Sequence, residues 1–396
     1  MEVIRRRFLK SFLAVWYLFA WLLGTIIGNI LMLFSEDYRN VWLFSERGID
    51  ARDNGYVFYK YIKEKHPEIN SYYIIDKKSS DYEKVARLGN VVQFKSLKHY
   101  ILLGVSKYNV STHIMGFTPN VVIFVWLDRL HIIRGKKIYL QHGVIKDDMW
   151  MNHYPYVSLD IFVTSAKPEY EFIRDTYGHP DGTVKLLGLC RFDNLIDCAD
   201  RVKKQILLMP TWRKNIADHC HNADDFVKTS YYQYYQSLLN NRKLDDLLEK
   251  YGYEFVFYPH YEMQHFLSSY STTCKNIKIA PIDEYDVQEL LIESKLLITD
   301  YSSVFFDFVY MEKPVIYYQF DEADFRKNHY PEGYFSYKRD GFGPVVEDED
   351  QLLEQIENSL KNDCTLGSEY HDRISQFFTK RDKHNCDRVF QAIMEL

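Results

Sequence analysis

From Phe12 to Phe34 the chain is almost unbroken apolar sequence, about 23 residues where a bilayer-spanning helix needs about 20. Arg5, Arg6, Arg7 and Lys10 precede this run, and Trp16, Tyr17 and Trp21 are residues that favour a membrane interface. Gly24 and Gly28 form a small-xxx-small pair, which lets helices approach closely. The pattern predicts a membrane-associating helix over residues 1–35, with a buried core helix as the competing reading.

After residue 35 short β-rich runs alternate with polar, helix-like stretches. The first series of expected strands is Val41–Phe44, Tyr72–Ile75, Val91–Phe94, Tyr108–Ser111, Lys137–Gln141 and Ile161–Thr164. The second is Gln205–Met209, Glu254–Tyr258, Ile277–Ala280, Leu296–Thr299 and Val315–Tyr318. Strands alternating with helical patterns imply βαβ units and parallel sheets, and runs such as Leu296-Leu297-Ile298 read as strands buried on both faces. The expected fold is therefore α/β, with two doubly wound Rossmann-type domains at 36–198 and 199–396. Their joint lies near Asp193–Lys204, where polar residues separate the apolar runs. Residues 217–250, polar and rich in Tyr, read as a loop plus a helix inserted in the second domain. Ligands of open α/β sheets bind at the carboxyl ends of strands, so with two facing sheets the site is expected in the cleft between them.

Composition narrows the partners. Net charge is −6, which argues against a nucleic-acid partner, since phosphate-backbone binding requires a basic surface. The six cysteines are scattered without a CxxC pair, the pattern of free thiols in a reducing compartment. His219-Cys220-His221, beside Asp218, reads as a polar loop, because zinc ligands are usually separated along the chain; no metal site is expected.

Candidate chemistry lies at the strand ends. Lys137–Gln141 runs into His142-Gly143, placing an imidazole at the end of a strand with a glycine to permit a tight turn. A histidine there can serve as a general base, its pKa lying near neutrality, or merely order a loop. Gln205–Met209 leads to Pro210-Thr211-Trp212-Arg213, where Arg213 suits bidentate phosphate binding and Thr211 a hydroxyl contact. Glu254–Tyr258 leads to a second strand-end histidine, His260. Leu296–Thr299 leads to Asp300-Tyr301-Ser302-Ser303 at the start of a helix-like stretch from Val304 to Tyr310. The free N–H groups of a helix N-terminus form a natural phosphate site, although serine is also a good N-cap. Asp307, a turn further on, could reach a ribose hydroxyl or face solvent. Asp340-Gly-Phe-Gly-Pro344 is a glycine loop of the kind found at any tight turn.

Together these segments resemble the CDP-glycerol glycerophosphotransferase family, the teichoic-acid polymerases and primases. The resemblance rests on 45–55 (SERGIDARDNG), Gln141-His-Gly143, Pro210-Thr-Trp-Arg213, Tyr258-Pro-His260, Leu297–Asp307 and Lys313-Pro314, in the family's order. Two motifs depart from the family pattern: Gln-His-Gly precedes Val-Ile-Lys where many members have Trp-His-Gly before Thr-Pro-Leu-Lys, and Pro-His replaces the commoner His-Pro. Both imidazoles remain. The resemblance implies a GT-B-like fold, membrane association and transfer of an alditol phosphate from a CDP-linked donor, bound mainly by the second domain, to a lipid-linked polymer, releasing CMP. By motif, His142 would activate the acceptor hydroxyl and His260 would stabilise the diphosphate or leaving group. Thr211, Arg213, Ser302 and Ser303 would contact phosphates, with Asp300 and Asp307 shaping the site. No cofactor is required, and Mg²⁺ is possible.

The alternatives are a GT-B glycosyltransferase using a nucleotide sugar, and a membrane-anchored scaffold with a decayed site. The basic N-terminal flank predicts a cytoplasmic N-terminus, and a single span would then carry the catalytic domains outside the cell. Thiols and nucleotide chemistry both favour the cytoplasmic side of the cell membrane, which calls for a segment that re-enters or lies in the interface plane.

Overall fold

A computed structural model describes residues 2–328 and 331–396, with the side chains of 2–13, 122–124 and 328 left out of the description. The chain is α/β and divides into two compact units, each built on a parallel sheet. The first comprises Met1–Val144, Met149–Asn194 and Asp382–Leu396; the second comprises Ile145–Asp148 and Leu195–Arg381.

The first sheet contains β1 (Val41–Ser45), β2 (Ser71–Ile75), β3 (Val91–Gln93), β4 (Ser106–Ser111), β5 (Lys136–Tyr139), β6 (Ile161–Thr164) and β7 (Val184–Leu186). Their order is β3-β2-β1-β4-β5-β6-β7. Alternation along β1 sends Trp42 and Phe44 into one apolar cluster, with Phe58, Tyr59 and Tyr73, and Val41 and Leu43 into another, with Tyr72, Leu102 and Trp21. Apolar residues thus cover both faces of the sheet, which is why its strands read as continuous hydrophobic runs.

The second sheet contains β8 (Gln205–Leu208), β9 (Glu254–Phe257), β10 (Ile277–Ile279), β11 (Leu296–Thr299), β12 (Val315–Tyr318) and β13 (Val345–Val346). Their order is β10-β9-β8-β11-β12-β13. In each sheet the order reverses once, between β1 and β4 and between β8 and β11. Crevices at the carboxyl ends of strands flanking such a reversal are where open α/β sheets bind ligands.

The N-terminal helix Glu2–Phe34 packs along the helix Leu97–Val105 of the first unit. Glycines on both partners make this close crossing: a Cβ added at Gly24 would stand 2.7 Å from the Tyr100 carbonyl carbon, and one at Gly104 would stand 2.6 Å from the Thr25 Cα. Ala20 and Trp21 are buried, whereas Trp16, Phe19, Leu22, Ile26, Ile30 and Leu33 are exposed. Residues Ala14–Phe34 are long and apolar enough to cross a membrane.

Four features differ from the sequence expectation. Residues 199–396 are not one continuous domain, because the last helix, Asn385–Met394, returns to the first unit, where Val389, Phe390 and Ile393 join its core. The strands β7 (three residues) and β13 (two residues) were not expected. Residues 214–251 form four helices rather than a loop and one helix, and the tyrosines Tyr231 and Tyr235 are core residues of the second unit. The turn before His142 takes its left-handed residue at Gln141 (φ 62°), not at Gly143.

Candidate functional site

The first cluster stands at the switch point of the first sheet, on the loops after β1, β4 and β5. Glu46, at the end of β1, is fully buried and accepts from the backbone N–H groups of Arg52 (2.9 Å), Asp53 (2.9 Å) and Tyr56 (3.0 Å). It thereby folds the loop that carries Asp53. Burial, together with the charges of Asp53 and Asp50, pushes the Glu46 carboxyl up to about 7. Asp53 N-caps the helix Asn54–Lys65. Asn54, wholly buried, ties three segments: its amide donates to Gln141 O (2.9 Å) and its carbonyl accepts from Arg191 N (2.8 Å).

His142 receives its orientation from this frame. The left-handed backbone at Gln141 costs about 1–2 kcal/mol for a non-glycine residue and is held by the Asn54 bond and by the Gln141 amide, which donates to Val163 O and to Glu169 Oε1 (3.3 Å). His142 Nδ1 hydrogen-bonds Asp53 Oδ2. Arg191 completes the arrangement, donating from one guanidinium nitrogen to Asp53 Oδ1 (2.5 Å) and to His142 O. The His142 side chain is 69% exposed while that of Asp53 is 9% exposed, so the carboxylate is the buried anchor and the ring faces out. Desolvation opposes the imidazolium, but the charge of Asp53 and its hydrogen bond outweigh that and raise the His142 pKa. Burial would raise Asp53; Arg191 and His142 reverse this and hold its carboxyl well below the usual carboxylate range.

The second cluster stands at the switch point of the second sheet, on the loops after β8 and β11. Asp300 is fully buried and accepts from Thr211 N (2.7 Å), Tyr301 N (2.6 Å) and the Arg213 guanidinium (2.7 Å). Arg213 also makes a two-point pair with Asp321 (2.7 and 3.0 Å) and donates to Thr211 O (2.8 Å). It lies 5.1–5.2 Å from the ring centres of Tyr231, Tyr301 and Phe325 and is 3% exposed. Every guanidinium direction faces a protein acceptor or a ring. This arginine fixes the loop geometry.

The other expected residues lie around this frame. Ser302 and Ser303 are half-buried at the start of the helix Val304–Tyr310; Ser302 Oγ accepts from Val304 N (3.3 Å), and Ser303 makes no capping bond. The Thr211 hydroxyl oxygen is buried without a hydrogen-bond partner. Asp307 is 4% exposed, so it does not face solvent. His260, half-buried after β9, accepts from Glu262 N at Nδ1 (3.3 Å) and stacks on Trp212. Lys313 donates to Leu291 O, Ile292 O and Ser294 O (2.6–3.0 Å), closing the end of the helix Val287–Glu293. Among the described residues no three His, Cys, Asp or Glu side chains converge as a metal site.

The family described as CDP-Glycerol:Poly(glycerophosphate) glycerophosphotransferase matches residues 29–395. The chain belongs to this family. Among the relatives of this glycerophosphotransferase-family chain is the minor teichoic acid biosynthesis protein GgaB of Bacillus subtilis (strain 168), 32% identical over 95% of this chain and 42% of that protein. A teichoic acid poly(glycerol phosphate) polymerase of the same organism is 22% identical over 86% of this chain and 47% of that protein. The chain thus spans less than half the length of these relatives. Among solved structures, the wall teichoic acid polymerase TagF superposes with a TM-score of 0.64 at 19% identity, covering 98% of both chains. A putative UDP-N-acetylglucosamine 2-epimerase from Listeria monocytogenes superposes at 0.55 with 14% identity, covering 90% of this chain and 96% of that one.

Glu46, Asp53, Asn54 and Arg191 escaped the residue-by-residue reading. The first three lie within the stretch 45–55, which was legible as a family segment, but nothing local shows that its aspartate meets a histidine 89 positions later. Arg191 carries no motif at all.

Proposed function

We propose that this glycerophosphotransferase-family chain transfers glycerol phosphate, or a related alditol phosphate, from a CDP-linked donor to a hydroxyl of a lipid-linked cell-envelope polymer such as teichoic acid. The observation that carries this reading is the Asp53–His142 pair at the carboxyl end of β5, in a chain of this family. Asp53 accepts the Nδ1 proton of His142, which leaves the lone pair on Nε2, the nitrogen that faces out. That nitrogen takes the acceptor hydroxyl's proton. The oxygen attacks the alditol-bearing phosphorus of the diphosphate, the new P–O bond forms, and the old one breaks to release CMP.

The second unit supplies donor binding. Ser302 and Ser303 with their backbone N–H groups, Thr211 with its unpartnered hydroxyl, and His260 contact the diphosphate, while Asp300 and Arg213 hold the loops and Asp307 shapes the helix behind them. Positioning and charge neutralisation provide most of the rate, as in other phosphoryl transfers. The reading requires no resident cofactor, and Mg²⁺ would act only as a companion of the diphosphate. A solved TagF variant, in which a histidine is replaced by asparagine, was soaked with CDPG; that relative supports the donor class. The strand orders and these fold neighbours support the finer description, a GT-B-like pair of doubly wound domains.

The N-terminal helix supports attachment to a membrane, and the free thiols and nucleotide chemistry favour its cytoplasmic side. Its inner face is committed to the helix Leu97–Val105, and its outer face is apolar, an arrangement suited to lying in the interface plane. The exposed Trp126 and Leu130, with Arg129 and Arg134, extend the same kind of surface.

Incubating the chain with CDP-glycerol and a lipid-linked acceptor tests the reading by mass: the acceptor should grow by glycerol phosphate units. An acceptor that instead gains a sugar from a nucleotide sugar would replace this reading with the glycosyltransferase one.

A further inference from the structure

The loop after β4 brings a second imidazole to His142. His113 lies two residues beyond the strand, its ring centre 4.8 Å from that of His142 and the ring planes inclined by 37°. Ser111 fixes its backbone from both sides, the hydroxyl donating to His113 O (2.7 Å) and accepting from His113 N (3.2 Å). Thr112 Oγ1 lies 2.9 Å from its Nδ1. The two rings therefore share one design. In each, Nδ1 is engaged by the protein, His142 by Asp53 and His113 by Thr112, and among the described residues neither Nε2 has a partner. Burial and the neighbouring His142 push the His113 pKa down to about 4, so this ring is neutral where its neighbour gains and loses a proton. A neutral imidazole nitrogen is either a hydrogen-bond donor or an acceptor, and a hydroxyl can complement either.

We propose that His113 and His142 together form the acceptor site, and that this site is built for a vicinal diol. One hydroxyl gives its proton to His142 Nε2 and attacks phosphorus, while the hydroxyl on the next carbon hydrogen-bonds His113 Nε2. His113 neither gains nor loses a proton in the transfer; it sets which hydroxyl stands before the base. The inference rests on the transfer reaction proposed above and names the class of group that receives the alditol phosphate: the end of a polyol chain or a sugar edge with two adjacent hydroxyls.

A site that hydrogen-bonds a substrate hydroxyl rejects analogues lacking it, by up to about 10⁴-fold or more when fully buried. His113 is half-buried, and we expect about 10- to 100-fold, discounted for solvent. The test uses the full chain, CDP-glycerol and two matched acceptors, one ending in a vicinal diol and the other lacking the neighbouring hydroxyl. Wild type should prefer the diol by that factor in kcat/KM. His113→Ala should reduce the preference to about threefold or less, through a higher KM for the diol. His113→Gln, whose amide can reach the same hydroxyl, should restore part of it. Full preference retained in His113→Ala, or an equal fall in kcat for both acceptors, overturns the assignment. No CMP release by wild type with any acceptor instead overturns the transfer reaction on which it rests.

Discussion

Replacing Asp53 with asparagine removes one charge and almost no volume, and it should cost far more than its size suggests. Arg191 donates to Oδ1 and His142 meets Oδ2. In the amide, the guanidinium keeps the carbonyl oxygen, because a donor cannot face the NH₂ group. The NH₂ then faces His142 Nδ1 and places the ring proton on Nε2, the nitrogen that must be bare. Losing a hydrogen bond to a charged group costs about 1.5–3 kcal/mol, and the wrong tautomer gains about 1 kcal/mol from its new bond. Restoring the working tautomer thus costs about 2.5–4 kcal/mol, or about 10²- to 10³-fold in rate at 1.36 kcal/mol per tenfold. The same substitution in a Ser-His-Asp triad costs about 10⁴-fold; His142 is 69% exposed, which favours the smaller figure. Steady-state CMP release, measured as kcat across pH, reads the effect. The wild-type rate should rise as pH passes upward through the raised His142 pKa, since only the neutral ring is a base. In Asp53→Asn the rise should move to lower pH, with a plateau about 10²-fold or more below wild type. An Asp53→Asn enzyme within about threefold of wild type at every pH would refute the reasoning.

Three further predictions follow from the frame around the site. Arg213→Lys should destabilise the chain by about 3–5 kcal/mol, since a buried network loses its geometry, and should appear as a lower denaturation midpoint; a stable variant with only a raised donor KM would restore the phosphate-binding role. Glu46 stays protonated in the folded chain to about pH 7 against an ordinary 4.5, so its contribution to stability is complete below pH 4.5 and is lost as pH rises through 7. Denaturant melts should show this decline in wild type and a flatter profile in Glu46→Gln. Gly24→Val would drive a side chain into the Tyr100 backbone, and should loosen the N-terminal helix by about 1–3 kcal/mol, seen as faster proteolysis near residue 35.

Strands buried on both faces left unbroken apolar runs, and so β1, β6, β11 and β12 were legible from hydrophobicity alone. The partner of an amphipathic helix is not written in its periodicity: nothing in Asn385–Met394 says that its apolar face belongs to the core of the first unit, against residues as distant in the chain as Trp42 and Phe44, or that Asn385 meets Asp193. The site divides along the same line. His142 and His260 were visible because each follows a strand, whereas Asp53 and His113 depend on loops from other strands reaching one point. Arg213 adds a case from the second unit. Its side chain suits phosphate, and its two carboxylate partners, 87 and 108 positions away, were invisible until the fold brought them to it. Gly24 and Gly28 were legible as a close-approach pair, and the structure supplies the partner helix.

The central claim is that His142 is the base of an alditol-phosphate transfer, and the direct measurement is CMP release from CDP-glycerol and from CDP-ribitol, each with a lipid-linked acceptor, by wild type and His142→Ala side by side. The account predicts release from at least one of the two donors by wild type and a fall of about 10²-fold or more in the variant. Turnover that survives in His142→Ala, or UDP released from a nucleotide sugar in place of CMP, would contradict it.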